Sequence, residues 1–338
     1  MTITVCIPCR NEAPFIEECV RALYACDLPE EAKLNVFVVD GMSDDETRAI
    51  VTNLIEEYST LHLVDNEMQL TPYAFNKGIE AGGKTDYIQI VGARHILSKN
   101  YLQNCLEKLK EEDQTYCVGG RIENEYLNSI GEIIAKAMGT RTGMGTGNFR
   151  TLRESGYTDT VTSPMYPYKV IEEFGWFDER LVRNQDDEYN FRLTKAGKKI
   201  FFDAEISLKY YVRGNFKGLW RQFFQYGYWK VFVNKKHKSV STMRQLVSPF
   251  FVAYLLTFPW AFFFGPIIGL IAAVPFVFYL ILVKITSLVN ASSISSFFQL
   301  TLTYWILHLS YGLGYLKGIL DFMILKKKPS DKQARLSR

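Results

Sequence analysis

Long hydrophobic runs are scarce ahead of Val247, and nothing in the opening Thr2-Ile3-Thr4-Val5-Cys6-Ile7 is long enough for a signal peptide. The soluble part is therefore expected to stay on the side of the membrane where it is made. Cysteine is also sparse. All six (Cys6, Cys9, Cys19, Cys26, Cys105 and Cys117) fall within the first 117 of the 338 residues, without metal-ligand spacing or the density of a disulfide scaffold. A reduced, cytosolic compartment fits, and Cys6-x-x-Cys9 reads as core thiols, since Cys6 sits in a strand pattern and Pro8 stiffens the loop. A strong charge excess is missing as well. A net charge of +3 is too small for a nucleic-acid footprint, so no nucleic-acid partner is expected. The basic residues instead cluster beside the apolar runs, as at a membrane face with anionic lipid.

What is present is an alternation of strand and helix patterns. Residues 3–7, 34–39, 61–64 and 86–91 read as strands; residues 13–26, 45–58 and 74–81 read as helices, with Ser43 or Asp44 as an N-cap. Such alternation predicts an α/β fold with a parallel sheet, whose ligand crevice lies at the carboxyl ends of the strands. That rule gathers Pro8-Cys9-Arg10-Asn11-Glu12, Asp40 and Gly92-Ala93-Arg94-His95 around one crevice. An Asp ending a central strand can accept from an imide N–H or a ribose hydroxyl, and an Arg in the first loop can neutralise phosphate. Asp40 is equally readable as a turn residue before Gly41.

A second stretch, Arg183-Asn184-Gln185-Asp186-Asp187-Glu188-Tyr189-Asn190-Phe191-Arg192, carries three successive carboxylates between arginines at the start of a helix. Acids suit a helix N-terminus, but such a concentration also suits general-base chemistry. Residues 119–162, with Gly139, Gly143, Gly145 and Gly147 close together, read as a mobile loop region, either a lid or a surface excursion. Residues 200–211 restore a strand pattern.

Four segments together resemble the inverting family 2 glycosyltransferases, whose nucleotide-sugar-binding fold is called GT-A. They are IPCRNE from Ile7, VVDGMSDD from Val38, AFNKGIEAG from Ala74 and FGWFDERLVRNQDDEYNFRL from Phe174. GTGNFR from Gly145, DTV from Asp159, RNQDDE from Arg183 and RQFFQYGYWK from Arg221 are similar to the ExoA-like exopolysaccharide enzymes within it. The resemblance implies a Rossmann-like GT-A domain over residues 1–215 and a nucleotide-sugar donor, a UDP-sugar such as UDP-glucose. It further implies Asp40 against the base with Pro8 and Glu12; Arg10, Asn76 and Arg94 are expected in the same donor site. Asp186 would be the catalytic base, supported by Gln185 (in place of an acid), Asp187 and Arg192; Gln222 and Trp229 loosely echo a Q-x-x-R-W acceptor motif.

One departure is plain. The metal-binding D-x-D of the family would fall on Gly92-Ala93-Arg94, where neither acid is present. Either Arg94 supplies positive charge in place of a Mg or Mn ion, or catalysis is impaired. His95, one position on, is the remaining metal-ligand candidate.

Between residues 216 and 246 aromatic and cationic side chains mix, as an interfacial helix requires. Three apolar stretches follow, 247–265, 266–285 and 297–320, each near the roughly 20 residues that span a hydrocarbon core. A basic tail closes the chain from residue 323. Lysines flank the first stretch at 235–238 and the last at 326–328; both favour the cytosolic side, yet three spans would separate them. Either the third stretch, which contains His308, Ser310, Gly312, Gly314 and Lys317, is re-entrant or partly interfacial, or the tail is translocated. The expectation is a multi-pass enzyme of the inner (plasma) membrane with a cytoplasmic catalytic domain. It would pass a sugar with inversion to a polyprenyl-linked saccharide in exopolysaccharide or surface polysaccharide assembly, alongside other assembly proteins. A polyprenyl-phosphate sugar synthase and a catalytically silent nucleotide-sugar-binding scaffold are the alternatives.

Overall fold

The computed structural model describes residues 1–111, 114–146 and 149–329. Gly147 and Asn148 of the glycine-rich motif, and residues 330–338 of the basic tail, lie outside the described residues. In chain order, β1 (Thr2–Cys9) leads to α1 (Ala13–Tyr24), β2 (Lys33–Asp40) to α2 (Thr47–Glu57), and β3 (Leu61–Asp65) to α3 (Thr71–Gly82). Next come β4 (Tyr87–Ile90), β5 (His95–Leu97), α4 (Tyr101–Glu111), β6 (Thr115–Glu125), α5 (Ser129–Met138) and α6 (Arg141–Met144). β7 (Gly156–Thr158), β8 (Thr162–Pro167), α7 (Lys169–Phe174), α8 (Gln185–Lys195) and β9 (Lys199–Tyr211) follow. The remainder is helical: α9 (Phe216–His237), α10 (Val247–Thr257), α11 (Pro266–Asn290), α12 (Ile294–Gly318) and a π-helical turn over Ile319–Ile324. Two compact units result, Met1–Glu123 with Gly147–Tyr211, and Asn124–Thr146 with Val212–Arg338.

The first unit is a mixed sheet in the order β3-β2-β1-β4-β8-β6-β9-β5, with β7 on β9. β3, β2, β1 and β4 run parallel, while β8 lies antiparallel to β4. Alternation along β1 builds a core on both faces. Ile3, Val5 and Ile7 pack with Ile16, Val20 and Leu23 of α1, whereas Cys6 packs with Phe75 and Ile79 of α3 and Tyr189 of α8. Each such side chain contributes about 1.5–3 kcal/mol on leaving water. The glycines of the AFNKGIEAG segment have a steric reason. A Cβ at Gly78 would lie 2.7 Å from Cys6 Sγ, and one at Gly82 2.5 Å from the Thr4 side chain, so α3 can sit this close to β1 only without them. All six cysteines are buried and free, and burial pushes their thiols up and out of reactivity.

Residues 119–162 are not the loop region that their glycines suggest. They hold the end of β6, α5, α6, β7 and the start of β8, and residues 124–146 belong to the second unit. α5 is ten residues long and capped by Asn128, whose Oδ1 accepts from Gly131 N at 2.7 Å. Gly143 is a packing residue: a Cβ there would lie 2.1 Å from the Ala137 carbonyl oxygen.

In the second unit α12 lies against α9, backbone to backbone. A Cβ at Gly227 would come 2.0 Å from the Tyr311 carbonyl oxygen, and one at Gly314 1.9 Å from that of Phe224. Among the described residues two helical segments, Met243–Phe264 and Pro266–Asn290, are long and apolar enough to cross a membrane. The third expected span, within α12, is a packed helix. Leu300, Tyr304, Leu307, Ser310 and Tyr315 of α12 are buried, and polar groups along it already have partners: His308 Nε2 lies 2.8 Å from the Thr142 carbonyl oxygen, and Tyr304 accepts from Thr140 Oγ1 at 3.2 Å.

Candidate active site

The loops leaving β1 and β2 are stitched together by side chains reaching backbone amides. Asn11 N donates to Ser43 Oγ at 2.9 Å, Asp44 N to Asn11 Oδ1 at 3.0 Å, Glu12 N to Thr47 Oγ1 at 2.9 Å and Ala13 N to Asp45 Oδ2 at 3.3 Å. Asp45 serves both helix starts, since it accepts from Ala13 N and, through Oδ1, from Thr47 N at 3.0 Å in the first residue of α2, whose N-cap is Glu46. Asn11, Met42 and Gln69, in the loops after β1, β2 and β3, all have positive φ (53°, 58° and 58°). Left-handed backbone at non-glycine residues costs energy and gathers at functional sites. Arg10 donates to Gln69, tying the first of these loops to the third.

Asp40 is fully buried at the end of β2. Its Oδ2 accepts from Ser43 N at 2.9 Å and from Arg48 at 2.8 Å, and its Oδ1 accepts from Ser43 Oγ. Within the fold Asp40 holds the floor of the crevice, and its charge is met by Arg48, which also donates to Asp65 at 2.7 Å. Sequence reading missed Arg48, because its spacing from Asp40 gains meaning only once α2 folds back over the strand end. Pro8 is partly buried, next to last in β1 and paired with Val39.

Arg94 lies in the turn between β4 and β5. Its Nε donates to Glu12 Oε2 at 2.7 Å, and its guanidinium sits 4.4 Å from the centre of the Phe15 ring. His95 turns the other way: Nδ1 lies 2.6 Å from Ser163 Oγ, and the ring stands edge-on to Tyr210. Burial, with Arg150 nearby, pushes this imidazole down to about 3, so it is neutral. Both features bear on a metal. Divalent cations of the Mg and Mn type take oxygen ligands, and this turn offers Gly92, Ala93 and a guanidinium already on the nearby carboxylate. Among the described residues no group of three or more His, Cys, Asp and Glu converges to hold an ion. The donor set does not fit the ion that D-x-D would hold.

The acidic run divides in two. Glu188 is fully buried, and Arg192 Nη2 grips it at 2.6 Å while Nη1 holds the Phe174 and Trp176 carbonyls at 3.0 and 2.8 Å. Arg192 therefore clamps the approach to α8. Asp186 and Asp187, in the first turn of α8, stay partly exposed. Asp186 shares a face with Asn190 one turn on; Asn190 accepts from Tyr166 at 2.9 Å and donates to Thr160 at 3.0 Å. The Asp186 charge reaches Cys117 and Tyr166 on the neighbouring strands and adds to the upward push that burial gives both. Gln185 is buried, with Oε1 unpartnered.

Asn76, expected at the donor, has its amide committed elsewhere. It accepts from Phe177 N and donates to Phe177 O, both at 3.0 Å, and to Glu179 at 2.9 Å. It thereby holds the 175–183 loop that delivers α8. Gln222 and Trp229 belong to α9 in the second unit, where Gln222 donates to Tyr226 at 2.9 Å and Trp229 is enclosed by Tyr228, Phe232 and Phe322.

A model of the family described as "Glycosyl transferase family 2" matches residues 4–174. The dolichyl N-acetyl-alpha-D-glucosaminyl phosphate 3-beta-D-2,3-diacetamido-2,3-dideoxy-beta-D-glucuronosyltransferase of Methanococcus voltae is 26% identical over 326 residues, 94% of this chain and 97% of its own. The succinoglycan biosynthesis protein ExoA of Rhizobium meliloti (strain 1021) is 26% identical over 244 residues, 72% of this chain and 73% of its own. Among solved structures, the mannosyltransferase PcManGT from Pyrobaculum calidifontis, in complex with GDP-Man and Mn2+, is similar with a TM-score of 0.59. At 18% identity, covering 93% of this chain and 86% of that one, this likeness concerns the fold.

Proposed function

Since the chain belongs to glycosyl transferase family 2 and has the GT-A fold, we propose that this glycosyltransferase moves a sugar, with inversion, from a UDP-sugar to a lipid-linked saccharide at a membrane. The observation that carries the mechanism is the division of the acidic run: Glu188 is consumed by Arg192, while Asp186 remains partly exposed on the first turn of α8. In this reading the acceptor hydroxyl attacks the anomeric carbon opposite the departing diphosphate, and Asp186 takes its proton as the bond forms. Negative charge grows on the leaving group, and Arg94 and Arg10, at the ends of β4 and β1, oppose it. A fixed guanidinium suits phosphate oxygens, so Arg94 stands where the family's metal-bearing acids would be.

Two features support a lipid-linked acceptor. The Methanococcus relative is named for a dolichyl phosphate-linked sugar, and two apolar helices of this chain are long enough to cross a bilayer. An acceptor with its sugar in water and its tail in lipid suits an enzyme anchored in that way. Polysaccharide assembly at the inner membrane, with the catalytic unit cytoplasmic, is the setting this implies. The turn at Gly92-Ala93-Arg94 favours one rival, a silent nucleotide-sugar-binding scaffold.

Incubating membranes with a panel of nucleotide sugars and extracted lipid acceptors, then reading the anomeric configuration of the product by NMR, tests the proposal. An inverted sugar on lipid supports it. A retained configuration contradicts inversion, and no product from any donor favours the scaffold.

A further inference from the structure

We propose that the chain crosses the bilayer only as a two-helix hairpin, Met243–Phe264 with Pro266–Asn290, and that α12 lies beside α9 at the membrane surface. The basic runs 235–238 and 326–328 then face the same aqueous compartment. The proposal rests on the membrane placement given above and goes beyond it, because three spans would set those two runs on opposite sides.

The register between α9 and α12 carries the argument. Gly314 meets the Phe224 backbone, Gly227 meets Tyr311, and Gly318 meets Tyr228 and Val231. Further along, Lys235 Nζ donates to the Phe322 carbonyl at 2.7 Å. From Phe224 on Gly314, through Val231 on Gly318, to Lys235 on Phe322 the numbers rise together, so the two helices run parallel, and contact this close over several turns gives them one depth. α9 carries Lys217, Arg221, Lys230, Lys235 and Lys236, a load that a helix in hydrocarbon does not bear. What holds α9 out of the bilayer core holds α12 out as well.

The end of α12 is stapled on the same side. Asp321, 3% exposed, accepts from Tyr228 OH at 3.1 Å, from Lys317 at 2.8 Å and from Lys327 at 2.9 Å. The beginning agrees. α11 ends at Asn290, and after two residues Ser293 caps α12 by accepting from Ser296 N at 3.1 Å, with Ser296 Oγ returning to Ser293 N at 2.8 Å. A hairpin closed by Gly265-Pro266 returns the chain to the side it left, and α12 starts there. Both lysine runs then sit at one bilayer face, as the retention of positive charge on the cytoplasmic side requires.

Single cysteines at exposed positions read the arrangement, since the native thiols are buried. Ser239→Cys, Phe264→Cys and Lys328→Cys are treated with a membrane-impermeant maleimide in intact cells and in inverted vesicles, and protease digestion of a C-terminal tag gives a second reading. The expected result is that positions 239 and 328 label from one side and position 264 from the other. Labelling of 328 together with 264 overturns the proposal, because α12 would then cross. Labelling of all three from one side overturns the hairpin. Carbonate extraction separates the two levels: a released protein fails membrane placement itself, whereas a retained protein with 328 on the side of 264 fails only the arrangement inferred here.

Discussion

Arg94 and Glu12 form a 2.7 Å ion pair between the loops at the ends of β4 and β1, with about a fifth of each side chain exposed (21% and 18%). Packing of the guanidinium on Phe15 at 4.4 Å fixes it further, so its charge is oriented before any donor arrives. Arg94→Ala should lower transfer by about 10²–10³-fold, with Arg94→Lys intermediate, and EDTA should leave the wild-type rate unchanged. Initial rates in membranes check this. Loss of activity in EDTA with retention in Arg94→Ala contradicts the role given to Arg94.

Glu188 and Asp186, two residues apart, should respond in opposite ways. Glu188→Gln leaves the Arg192 guanidinium without its buried counter-charge, and breaking such a pair costs about 3–5 kcal/mol. A clear drop in the melting temperature of the purified protein is expected. Asp186→Asn, partly exposed at a helix start, should melt close to wild type. Equal destabilisation by both would argue that Asp186 is also a structural acid.

Asn76→Ala removes three hydrogen bonds to the loop ahead of α8, leaving the buried Phe177 backbone groups without partners, at about 1–3 kcal/mol for each buried group unpaired. Limited proteolysis should cut within 175–183 faster than in the wild type, and the turnover rate should fall. An unchanged cleavage pattern would mean that other contacts hold the loop, Arg192 on Phe174 and Trp176 among them.

His95 predicts a pH dependence. Its value in the fold, about 3, lies below the ordinary 6.5, so between those limits the unfolded chain binds the proton that the folded one refuses. Its contribution is complete above about pH 6.5 and is lost as the pH falls towards about 3. Denaturant midpoints for wild type and His95→Gln should converge on acidification over that window. Parallel curves would contradict a buried neutral imidazole.

Much of the first unit was legible because its strands are short, apolar and ended by polar turns. Placing Glu12, Asp40 and Arg94 at strand ends needed only the periodicity of β1, β2 and β4. What those residues hold was not legible. The grip of Arg48 on Asp40, of Gln69 on Arg10 and of Asn76 on Phe177 arises from helices returning over the sheet, and spacing along the chain does not encode it. The glycines of 139–147 misled for a related reason: Gly143 marks close packing, which composition does not distinguish from mobility. The close packing of the apolar stretch at 297–320 was not legible either, because hydropathy is blind to a neighbouring helix; glycines 312, 314 and 318, where α12 admits other backbones, were the available signal.

The most direct test of the account is lipid-acceptor glycosylation by wild type and Asp186→Asn, assayed side by side in membranes with the donor that the panel identifies. The account predicts that the variant keeps its fold and its affinity for the nucleotide sugar while its turnover falls by about 10²–10⁴-fold. A folded Asp186→Asn enzyme that turns over at the wild-type rate would contradict it.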